Sequence, residues 1–131
     1  MLDTFRPPRW FSPARTAFLG SLLLSLVSVA GTVTVGKDAA MYLNVSQKII
    51  EQTPAVAFEL FHWPWFSFLL AGTHLLSGIS LDLVAYLWCA ILMAGTCALL
   101  VSITQRYTTG GGYWACLVVL SVPAFNHLRN D

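Results

Sequence analysis

Charge is what this sequence has least of. Only 10% of its 131 residues are Asp, Glu, Lys or Arg, against about a quarter in soluble domains, and the mean hydropathy is +0.68. A chain so poor in charge lacks the means to cover itself with a solvated surface, so composition points to lipid. Seven basic and six acidic side chains nearly cancel, to a net +1. No basic stripe gathers anywhere, so nucleic-acid binding has no electrostatic footing. Cys89, Cys97 and Cys116 form no CxxC pair and all fall within apolar runs, which favours small buried hydrophobes over metal or disulfide roles. "TTGGGY" lacks the lysine and following Ser/Thr of a phosphate-binding loop and reads as a flexible turn. There is no internal repeat and no low-complexity segment.

Long apolar runs take the place of charge. A bilayer span takes about 20 apolar residues, and three runs qualify by this measure. Residues 16–36 carry no charge, nor do residues 83–105, "LVAYLWCAILMAGTCALLVSITQ". The third, "GGYWACLVVLSVPAFNHL", is shorter and holds Pro123. A fourth run, "WPWFSFLLAGTHLLSG", contains His74 and has the length of an interfacial or re-entrant helix. Arg6, Arg9 and Arg15 followed by "SVAG" resemble a signal peptide with its cleavage site. The apolar stretch continues to Val35, which favours a retained anchor.

The fold expected is all-α, a multi-pass helical membrane protein with about three transmembrane helices and interfacial helices in its first outer loop. Arg6, Arg9 and Arg15 place residues 1–15 in the cytoplasm by the positive-inside rule. A first span then covers 16–36 and an outer loop covers 37–81, with interfacial helices at 38–52 and 64–78. A second span covers 82–105, a cytoplasmic loop with Arg106 covers 106–112, and a third span covers 113–128. Residues 129–131 then begin a second outer loop, so Asp38 and Asp131 share the outer side. If 64–78 crossed the bilayer instead, they would lie on opposite sides.

Within the outer loop, Met41, Tyr42, Val45 and Ile49 recur near a 3.6 period, with Asn44, Lys48 and Glu51 on another face. This predicts an amphipathic helix on the membrane surface, ended at Thr53-Pro54. "FHWPWF" gathers aromatics of the kind favoured at interface depth. Asp82 is the expected N-cap of the second span. In that span Ala90, Ala94 and Ala98, spaced by four, predict close approach to a neighbouring helix.

Few residues are left to carry chemistry. Asp38 is either a helix cap opposing the positive helix end or a reacting carboxylate, and the two roles can coexist. Asp131 reads equally as a polar tail residue. Glu59 and His62 flank the aromatic cluster, where either can grip a phosphate or sugar hydroxyl or simply anchor the loop. His74, inside an apolar segment, reads as a satisfied packing residue. His127, Arg129 and Lys37 would lie on the outer side, the two cations against the positive-inside trend, which favours an anionic partner.

An anchor followed by "DAAMY" and Ile49 resembles the first outer loop of GT-C membrane glycosyltransferases. The likeness is to bacterial members similar to protein O-mannosyltransferases and lipid A aminoarabinose transferases. "FHWPWFSFLLAGTHLLSGIS" is similar to their segment running along the membrane, with Trp63-Pro64-Trp65 in place of a double proline, and "PAFNHLRND" resembles the run into their second outer loop. The resemblance implies that Asp38 is the base acting on the acceptor. It implies that Asp131 binds the donor phosphate or a metal, or orients the acceptor. The substrates implied are a polyprenyl-phosphate sugar and a glycan, lipid or protein acceptor, with Lys37, Tyr42, His62 and Arg129 as binding residues. The location implied is the outer face of a bacterial inner membrane. Family members are several times longer, so the chain reads as an N-terminal portion, and a cofactor is left unassigned. The competing reading is a small non-enzymatic membrane partner or assembly subunit. A transporter would want ionisable groups at mid-membrane depth, and the first two runs have none.

Overall fold

The computed structural model describes residues 12–31, 37–108 and 111–121, and among them all regular structure is α-helical. Six helices follow in chain order: α1 (Pro13–Gly31), α2 (Lys37–Glu51), α3 (Val56–Leu60), α4 (Trp65–Ser77), α5 (Leu81–Tyr107) and α6 (Gly112–Ser121). α1 and α5 are long and apolar enough to cross a membrane. The described residues form two compact units, one within 31–89 and one from 12–30 with 90–121.

In the second of these units, α1 begins earlier than the apolar run alone predicts. Ser12 Oγ accepts the Arg15 N–H at 3.3 Å and its carbonyl accepts the Thr16 N–H at 3.0 Å, as an N-cap does. Pro13 then takes the first helical position, where its missing N–H costs nothing. The core joins Ala17 of α1, Cys97 and Val101 of α5, and Cys116 and Val119 of α6. Small side chains face inward, Ser21 and Ser25 among them, while Leu19, Leu23, Val27, Leu99 and Leu117 stay exposed. Close helix approach through small residues with large apolar ones outside is the packing used in lipid. The stripe on α5 runs Ala90, Ala94, Cys97 and Val101, not Ala98, because a step of four drifts off a helix of 3.6 residues per turn. Cys97 and Cys116 are buried as expected, but Cys89 is exposed.

Gly20 marks the close approach of α1 to α6: a Cβ there would stand 2.8 Å from Leu120 Cδ1. Only the tip of a flexible side chain obstructs it, so Gly20→Ala is expected to be near neutral. Gly20→Val, branched at Cβ, is expected to lower stability by about 1–3 kcal/mol, read as a thermal midpoint in detergent. Equal midpoints for the two variants would remove this contact from the packing.

In the unit of residues 31–89, α2 packs against α3 and α4. Ser46 and Ser67 are fully buried at that seam. Ser46 Oγ shares its proton between the carbonyls of Tyr42 at 2.7 Å and Ser67 at 3.1 Å, and Ser67 Oγ donates to Tyr42 O at 3.1 Å. The buried face of α2 therefore takes in only part of its apolar stripe, with Val45 inside and Tyr42 and Ile49 half-buried. Met41 is exposed and polar Ser46 is inside, because two hydroxyls that satisfy each other's neighbouring carbonyls let the backbones approach more closely than leucines would. The short helix α3, whose N–H groups bond back to Thr53, Pro54 and Ala55, lies where only a helix stop was expected.

α4 ends at Gly78 in the left-handed conformation, φ 69°, which glycine adopts without strain. The Gly78 N–H bonds to His74 O at 2.8 Å and His74 Nδ1 donates to Ile79 O at 2.6 Å, so the histidine is satisfied locally. Trp88 Nε1 donates to Thr73 Oγ1 at 3.0 Å, tying the start of α5 to α4. Asp82 lies in the first turn of α5, one residue past its start; there its charge meets the helix dipole from within the helix, not as a cap.

Candidate functional site

The N-terminal turns of α2 carry a recess that holds a predicted reacting group. Lys37, Asp38, Met41, Asn44, Val45 and Leu60 line an open hollow of about 460 Å³. α2 begins at Lys37, so Asp38 stands inside its first turn. Among the described residues its carboxylate has no hydrogen-bond or ion-pair partner, and it is exposed. An anion there is favoured by the helix dipole, and an unshared carboxylate keeps its lone pairs available for a proton. The neighbouring Lys37 supplies a cation and Asn44 an amide with two donors.

The sequence alone places Asn44 on the polar face of α2 and marks no functional role for it. The signal that finds it is spacing: Lys37, Met41 and Asn44 fall at i, i+4 and i+7 and so share a face.

The other residues expected at the site are distributed differently. The Tyr42 ring meets Phe61 edge-on at 5.6 Å and Phe66 at 5.4 Å, and its carbonyl receives both serine hydroxyls. Tyr42 thus anchors α2 to the aromatic layer. His62 and Glu59 are exposed and neither lines the recess. Arg129 and Asp131 lie outside the described residues, as do His127 and Pro123. Among the described residues no group of three His, Cys, Asp or Glu side chains gathers to hold a metal.

Helices α3 and α4 of the same unit carry an aromatic cluster. Phe58 stands against Trp65 at 6.3 Å and Phe68 at 5.5 Å, with Trp63 and Trp65 largely exposed. Amphipathic rings of this kind favour the level of lipid headgroups. No family model matches the chain, and neither a curated protein nor a solved structure proves similar to it.

Proposed function

We propose that the chain is the N-terminal, substrate-engaging portion of a multi-pass inner-membrane glycosyltransferase of the GT-C kind. It would transfer a sugar from a polyprenyl phosphate to an acceptor hydroxyl on the outer face. The observation that carries the reading is Asp38: exposed, unshared among the described residues, and set in a recess with Lys37 and Asn44. Support comes also from order along the chain, with this recess between two helices long and apolar enough to span a bilayer.

In the proposed step the acceptor oxygen bonds to the anomeric carbon of the sugar. The bond from that carbon to the phosphate oxygen breaks and polyprenyl phosphate leaves with the electron pair. Asp38 takes the hydroxyl proton, and Lys37 offers charge to the leaving phosphate. Tyr42 holds the helix that carries both. His62 and Arg129 are further candidates for the phosphate, and Asp131 for donor or acceptor orientation. A third span across residues 113–128 and a cytoplasmic N-terminus complete the arrangement. Arg15 and Arg106 fit it, since Ala14 packs against the cluster holding Val101, five residues before Arg106.

The test uses bacterial membranes carrying the chain in its native reading frame. Labelled polyprenyl-phosphate hexose and aminopentose donors are expected to be consumed above empty-vector membranes. Single cysteines at positions 38 and 130, with Cys89, Cys97 and Cys116 replaced, are expected to react with an impermeant thiol reagent from outside. Turnover of none of the donors, or reaction of position 130 only from inside, would overturn the proposal. Opposite labelling would make a small non-enzymatic membrane partner the leading reading.

A further inference from the structure

The unit built from α1, α6 and the later part of α5 has its own recess. Ala14, Arg15, Phe18, Leu19 and Ala98 line an open hollow of about 410 Å³. Its walls are apolar, the methylene stem of Arg15 among them. Among the described residues of this unit, 12–30, 90–108 and 111–121, there is no Asp or Glu at all. The charges present are Arg15 and Arg106, and no ion pair within the described part neutralises Arg15. A cation held beside an apolar trough, with no protein anion near it in the described unit, calls for a ligand that brings the anion and the apolar chain together.

We propose that this recess seats an anionic phospholipid of the bilayer. Its phosphate pairs with the Arg15 guanidinium, whose planar fork donates to two phosphate oxygens at once. Its acyl chain lies over Phe18, Leu19 and Ala98, while the methylene stem of Arg15 follows the same apolar wall. Basic pockets between spanning helices on the cytoplasmic side take anionic headgroups for this reason. The proposal rests on the reading that α1 and α5 cross the membrane. It does not depend on sugar transfer.

The test is made on the full chain. Resistance to alkaline extraction establishes insertion first. The detergent-purified protein is then titrated with phosphatidylglycerol and phosphatidylcholine, read by native mass spectrometry and by thermal midpoint. Phosphatidylglycerol is expected to be retained about five- to tenfold more strongly, the contribution of one basic side chain against an anionic headgroup. Arg15→Gln is expected to abolish that preference while weak binding of both lipids persists. Ala98→Leu, which fills the trough, is expected to weaken both lipids alike, and Arg106→Gln to leave the preference intact. Equal retention of the two lipids by the wild-type protein would overturn the proposal, as would a preference that survives Arg15→Gln. Release of the protein by alkali would overturn the membrane reading and this site with it, whereas insertion without preference overturns the lipid site alone.

Discussion

Asp38→Asn, made in the native reading frame, is expected to lower sugar transfer by about 10²- to 10⁴-fold, the range for loss of a positioned proton acceptor. The substitution separates the two roles open to this residue. Asparagine is nearly the same size and can still hydrogen-bond at a helix start, so α2 keeps its first turn. What it loses is the capacity to take a proton. Asp38 lies in that first turn, exposed beside Lys37 and Asn44, so its replacement opens no cavity and strands no partner among the described residues. The measurement is donor consumption per inserted protein, with insertion followed separately. Wild-type transfer by the variant would sink the catalytic assignment. Lost transfer together with reduced insertion would return the residue to a purely helix-starting role.

Ser46→Leu is expected to be the most damaging single change in the unit of residues 31–89. The site offers no room: Ser46 is fully buried, with its hydroxyl 2.7 Å from Tyr42 O and 3.1 Å from Ser67 O. A leucine would push α4 away from α2, at a cost of about 1–3 kcal/mol for overpacking. Ser46→Ala would cost only about 1 kcal/mol, the worth of a typical hydrogen bond, since Ser67 still donates to Tyr42 O. The expected reading is a lower thermal midpoint and faster proteolysis for Ser46→Leu, with Ser46→Ala close to wild type. A leucine variant as stable as the serine protein would mean that α2 and α4 do not meet as described.

Helices α2 and α4 lie within a residue of the bounds that periodicity and apolar run length predict, 38–52 and 64–78. The cause is physical: each is bounded by strong local signals, Thr53-Pro54 after α2 and Pro64 before α4. The start of α1 was equally written, in Ser12-Pro13, but an apolar scan passes over a cap and a proline because neither is apolar. The second apolar run was read as 82–105, and α5 extends it at both ends, to Leu81 and Tyr107; helices do not stop where hydropathy does.

Most of the inward face of α2 is legible in Tyr42, Val45 and Ile49, but not that Ser46 joins it and Met41 leaves it. Hydropathy ranks Met41 above Ser46, and only a partner helix bearing its own serine at the matching height reverses that order. At the site, Asp38 was visible as the first acid after an uncharged run, and Asn44 needed a helical register that starts at Lys37. The likeness to membrane glycosyltransferases also named Arg129 and Asp131, which fall outside the described residues.

The turn between α4 and α5 sets an angle. Gly78 closes one helix, His74 holds Ile79, and Trp88 reaches back to Thr73, so the inclination of α4 to the first turns of α5 is fixed by hydrogen bonds within the chain. Neither water nor lipid supplies a partner to those bonds. At 27 residues α5 is about 40 Å long, more than the roughly 30 Å of a hydrocarbon core. A bilayer that contains it must lean it over or let an end protrude. Any lean of its first turns is passed through the elbow to α4, so their tilt in the bilayer and the pitch of the aromatic rings Trp65 and Phe68 become a single mechanical variable.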